Sequence, residues 1–159
     1  MISLPNPVNI LRHSLRVYGV MLALVPSTFF LFPDLSRWHP YNVAYEHMFA
    51  VIFFAWGLCL YLSANNPAAN IGLINFTALQ GLLHGGVMFV HVFMGMHHSY
   101  WHLVGDVPFH LSMFFVLGYL RNYSPIATEE VMTSRARLWT IVIFSSIAVL
   151  VVYTVFIRL

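Results

Sequence analysis

Long apolar stretches with almost no charge inside them constrain this chain more than any other feature. A helix needs roughly 20 apolar residues to cross the hydrocarbon core of a bilayer. Five such stretches can be marked out, at about residues 14–32, 43–64, 71–94, 102–120 and 138–157. Over the 159 residues, 60% are hydrophobic and only 8% are charged. A soluble domain carries about a quarter charged residues, so this chain lacks the polar surface to face water. The fold class expected is therefore all-α: a polytopic membrane bundle of five transmembrane helices, a four-helix core plus a C-terminal helix, in one domain spanning residues 1–159.

The connections read as turns. Arg12 and Arg16 sit at the start of the first span, Pro26 lies inside it and should kink it, and Pro33-Asp34 ends it. Asn65-Asn66-Pro67 separates spans two and three, and Pro108 falls in the first turns of span four. The longest polar stretch is residues 121–137. The opening of the chain lacks the charge and cleavage pattern of a removed signal peptide, so the first span is expected to be retained. Positively charged short loops favour the cytoplasm. Arg12, Arg16, Arg121, Arg135 and Arg137 fall on one side, and Arg37 and Arg158 on the other. The N-terminus is thus expected in the cytoplasm and the C-terminus outside. Span two opens Asn42-Val43-Ala44-Tyr45-Glu46-His47 and span four opens Asp106-Val107-Pro108-Phe109-His110. This echo suggests that spans 1–2 and 3–4 are related units.

Ionisable residues inside spans are costly, and usually face the bundle interior. Glu46 and His47 on span two, His84 and His91 on span three, and His102, Asp106 and His110 on span four all fall in the outer half. The last three recur at i, i+4 and i+8, a drifting stripe on one helix. Two histidines on facing helices are the ligand set of a membrane haem b; His47, His84, His91 and His110 are the candidates, with His47 or His84 opposite His110 as the axial pair. A mixed set for iron or copper would draw on Glu46, His102 and Asp106. Met94-Gly95-Met96-His97-His98, with His102, is a second signal: thioethers and imidazoles suit copper.

Each of these residues also has a plain structural use. Boundary residues reach the headgroups, His84 can hydrogen-bond a neighbouring helix with Gln80 as partner, and Asp106 can pair with His102 or His110. Gly81 and Gly85 form a small-residue face that lets another backbone come close. The single cysteine, Cys59, rules out an internal disulfide. No HExxH, Walker loop, GxGxxG or serine nucleophile elbow is present, so no soluble-enzyme reaction can be assigned.

Asn66-Pro67-Ala68-Ala69-Asn70, Leu83-His84-Gly85-Gly86-Val87-Met88 and His102-Leu103-Val104-Gly105-Asp106-Val107-Pro108 resemble motifs of a family of small bacterial four-helix membrane proteins, a domain of unknown function. The resemblance covers spans two to four. It implies a fold and no activity, and it singles out Glu46, His84, His102 and Asp106 for test. This chain departs from it by the fifth span and the Met/His-rich segment. Three functions follow. The first is an accessory or structural subunit of a larger membrane complex, or a homo-oligomer, in contact with lipid and with no nucleic acid. The second is a redox or metal-binding membrane protein with haem b, copper or iron. The third is a small proton-coupled transporter.

Overall fold

The structure is a computed structural model that describes residues 6–32, 42–94 and 101–124. These belong to the first of two compact units, Met1–Ile126; the second is Ala127–Leu159. The described elements are all helical: α1 Pro7–Leu31, α2 Val43–Ser63, α3 Ile71–Phe93, a single turn α4 Trp101–Val104, and α5 Asp106–Tyr123. Four helical spans, with α4 and α5 together making the fourth, are long and apolar enough to cross a membrane. The fifth span expected at residues 138–157 and the segment Met96-His97-His98 lie outside the described residues.

Local chemistry explains the boundaries. α1 begins well before residue 14 because Asn6 caps it: the Asn6 side chain accepts a hydrogen bond from Val8 N–H at 2.9 Å, and Pro7 occupies the first turn. Arg12 and Arg16 therefore sit on exposed positions two to three turns into the helix. The helix continues through Pro26 to Leu31. The hydroxyls of Ser27 and Thr28 donate to Leu24 O at 2.5 Å and Val25 O at 2.7 Å. Asn42 caps α2, accepting from Ala44 N–H at 3.0 Å. In the turn after α2, Asn66 accepts from Ala69 N–H at 3.2 Å, and Asn70 donates back to Asn66 O at 2.8 Å. Arg16 reaches that turn through Asn65, 3.5 Å away.

The fourth span departs from the continuous helix expected over residues 102–120. It breaks at Gly105. A proline at 108 has no N–H to offer Val104 O, and its ring crowds that carbonyl. The chain resolves this by ending α4 at Val104 and restarting α5 at Asp106, which leaves Pro108 in a first turn where proline is tolerated.

Packing pairs the helices two by two. α1 and α2 form an antiparallel pair whose backbones touch at Gly19 and Gly57. A Cβ on Gly19 would lie 2.6 Å from Tyr61 N and 2.8 Å from Gly57 O. α3 and α5 form the second pair, with Gly81 against His110 O and Gly85 against His110 and Leu111. The partner of the Gly81/Gly85 face is thus α5, while Gly86 faces open space. The closest partner of α2 is thus α1, and that of α3 is α5.

Side chains join the two pairs. Tyr18 OH on α1 donates to Ser112 Oγ on α5 at 3.0 Å, and Trp56 Nε1 on α2 donates to Thr77 Oγ1 on α3 at 2.9 Å. Around these bonds lies the core. α1 contributes Leu11, Leu15, Tyr18 and Leu22 as one helical stripe, facing Phe53, Trp56 and Leu60 of α2, Ile74 and Ala78 of α3, and Met113 and Leu117 of α5.

Candidate functional site

His84 and His110 are neighbours across the α3–α5 contact. The glycines place them there: a Cβ on Gly81 would collide with His110 O, so a glycine is needed for the α5 backbone to come this close. The two imidazoles stack with centroids 4.2 Å apart and planes tilted by 34°. Phe53 of α2 presents an edge-to-face contact to each, 6.3 Å from His84 and 6.3 Å from His110. Phe109 meets His110 at 5.1 Å, and Tyr18 lies 6.1 Å from Phe109. The pair is therefore walled by aromatic rings from α2 and α5, where the two helix pairs meet.

His110 is 4% exposed. Its Nδ1 lies 2.8 Å from the backbone oxygen of Asp106. A carbonyl only accepts, so Nδ1 carries the proton, and Nε2 of the neutral ring keeps a lone pair. That Nε2 is buried with no hydrogen-bond partner among the described residues. Gln80 Oε1, one turn from His84, is likewise buried without a hydrogen-bond partner among the described residues.

One turn away, His102 Nδ1 and Asp106 Oδ2 are 2.5 Å apart. His102 is 4% exposed, whereas the Asp106 side chain is 46% exposed. The expected i, i+4 relationships thus survive the break at Gly105, in two forms. The Asp106 carboxylate holds His102, and the Asp106 backbone carbonyl holds His110.

The other sequence candidates are more scattered. His91 is half-buried in the last turn of α3, and Met94 is exposed at its C-terminal end. Glu46 is half-buried and His47 exposed in the opening turns of α2. His47 lies about 9 Å along the helix axis from Phe53, the α2 residue that meets His110. Among the described residues, no three His, Cys, Asp or Glu side chains gather in a metal-holding arrangement.

The geometry also bears on haem. Axial imidazoles on opposite faces of a macrocycle each bind through a nitrogen about 2.0 Å from the metal, which sets their centroids roughly 6 Å apart with the ring system between them. The centroids of His84 and His110 are only 4.2 Å apart, which leaves no gap for a macrocycle. His47 with His110 fails on height. Neither expected pair fits a bis-histidine haem b.

Several contributors escaped the sequence reading: Tyr18, Phe53, Phe109, Ser112, Trp56 and Thr77. Phe53 and Trp56 are three apart on α2, a spacing that marks a shared face, but α2 is apolar all round and offers no contrast to show which face turns inward. Gly19 and Gly57 are isolated glycines in apolar runs, and only their mutual contact gives them meaning.

Neither a curated protein nor a solved structure matches the chain. A family model does, over residues 5–141, and so reaches the first span as well as spans two to four. The chain belongs to DUF6632, a family of unknown function.

Proposed function

We propose that this is a multi-pass integral membrane protein that works as an accessory or structural subunit of a larger membrane complex. One observation carries the membrane reading. In the four spans only 22% to 33% of the residues are buried within the protein. Large apolar side chains such as Leu24, Val51, Phe93 and Phe115 face outward. Such a surface has no stable place in water, and hydrocarbon or another apolar helix suits it. The N-terminus and the Asn66 turn then lie on the cytoplasmic side of the inner membrane, and residues 138–157 supply a fifth crossing.

The subunit reading is supported by how the polar groups are used. Tyr18–Ser112 and Trp56–Thr77 join helices, and Asp106–His102 secures the α4–α5 break. These are uses in holding a scaffold together. Purification of the full chain in mild detergent tests the reading. The expected result is a particle well above 18.2 kDa plus detergent, holding other membrane polypeptides in fixed stoichiometry. A lone monomer at every detergent concentration contradicts it. The metal-binding alternative rests on one specific observation, the unpartnered Nε2 of His110.

A further inference from the structure

We propose that His84 and His110, with Met88 and Met113 one turn away on the same two helices, form a site for a monovalent copper ion. The inference goes beyond the subunit reading and does not depend on it.

The first argument is the lone pair. His110 Nε2 is buried and has no hydrogen-bond partner among the described residues, and its tautomer is set by the Nδ1–H bond to Asp106 O at 2.8 Å. Leaving such an acceptor unsatisfied in a bundle is unfavourable. A ring held through one nitrogen by a backbone carbonyl, with the other nitrogen bare, is how metal-binding histidines are commonly oriented. His84 stands beside it at 4.2 Å and makes ring contacts there. Two tilted imidazoles with centroids 4.2 Å apart are close enough to take adjacent positions around one ion.

The second argument is the donor set. Met88 is 2% exposed and stands four residues from His84; Met113 is fully buried and stands three residues from His110. Those spacings put each thioether on the same face as its histidine. Gly81, whose Cβ position is 3.2 Å from Met113 Cβ, lies between Gln80 and His84 on the facing helix. Imidazole and thioether are neutral, soft donors, and thioethers favour Cu(I) over divalent ions. The one carboxylate close by, on Asp106, is engaged with His102. A divalent ion held by neutral ligands would bring twice the charge into an apolar bundle, at a far larger desolvation cost. Phe53 and Phe109 flank the buried His110 ring.

The site is distinct from the Met94-to-His98 segment, and the test separates the two. The full chain in detergent is loaded with Cu(I) under reducing, oxygen-free conditions and titrated against a colorimetric Cu(I) chelator. One tightly held equivalent is expected. His110→Phe should weaken it by about a hundredfold, and Met113→Leu, which conserves volume, by roughly tenfold. The variant Met94→Leu/Met96→Leu/His97→Ala/His98→Ala should retain copper unchanged, with nitrogen and sulfur neighbours in its X-ray absorption spectrum. That spectrum decides the matter even if His110→Phe fails to fold. Wild-type protein that holds no Cu(I), or copper that survives His110→Phe but is lost from the Met94/Met96/His97/His98 variant, overturns the proposal.

Discussion

The carbonyl oxygen of Asp106 accepts the Nδ1 proton of His110 at 2.8 Å, while the carboxylate of the same residue holds His102 at 2.5 Å. One residue thus orients two buried imidazoles through two different groups. The separation has a consequence for mutagenesis. Asp106→Asn keeps an acceptor for His102 and should be nearly silent. Asp106→Leu removes that acceptor from a buried ring and should cost about 1–3 kcal/mol. Neither change touches the backbone oxygen, so the stacked pair should persist in both. Thermal unfolding in detergent measures the first effect, and imidazole NMR shifts of His110 report the second. Equal stability of the two variants would show that the His102 contact carries no weight.

His110→Phe should leave the metal-free protein as stable as the wild type, or more stable. The substitution keeps a ring against Phe53 and Phe109 and removes a buried nitrogen that has no partner. It also loses the bond to Asp106 O, worth about 1 kcal/mol, so the two effects are comparable. A loss above about 3 kcal/mol would mean that Nε2 is satisfied in the folded protein.

The glycines should separate sharply. Gly57→Ala drives a methyl group into the α1 backbone at Gly19 and Ala23, and should cost about 1–3 kcal/mol or more. Gly86→Ala meets open space and should be neutral or stabilising by up to about 1 kcal/mol through helix propensity. Side-by-side melting curves check both. Tolerance of Gly57→Ala would show that the α1–α2 backbones do not touch.

Much of this scaffold was legible before any coordinates. Spans two and three were placed within a residue or two because Asn42 and the Asn66–Asn70 turn punctuate long apolar runs. The start of α1 was missed because Asn6-Pro7 reads as a breaker until the cap is recognised. The histidines could be gathered on span four by spacing, yet stacking against His84 depends on two glycines across a helix contact, and pairing between helices is not written in periodicity. The aromatic wall around them was hidden for a related reason: in a membrane helix, inward and outward faces are both apolar.

The two joining hydrogen bonds should show measurable coupling. A double-mutant cycle of Trp56→Phe with Thr77→Val should give about 0.6 kcal/mol, with about 1.7 as an upper bound for such bonds between membrane helices. Tyr18→Phe with Ser112→Ala should behave alike. Zero coupling in both cycles would leave the helix pairs joined by apolar contacts alone.

Cysteine accessibility in intact cells tests the central claim, that these helices cross a bilayer. With Cys59 replaced by Ala, single cysteines are placed at Asn66, in the turn between α2 and α3, and at Val104, exposed at the opposite end of α3's partner helix pair. A membrane-impermeant maleimide should label Val104→Cys from outside, and Asn66→Cys only after the membrane is opened. Labelling of both positions in intact cells, or of neither, would contradict a membrane-spanning bundle, and the reverse pattern would contradict the orientation.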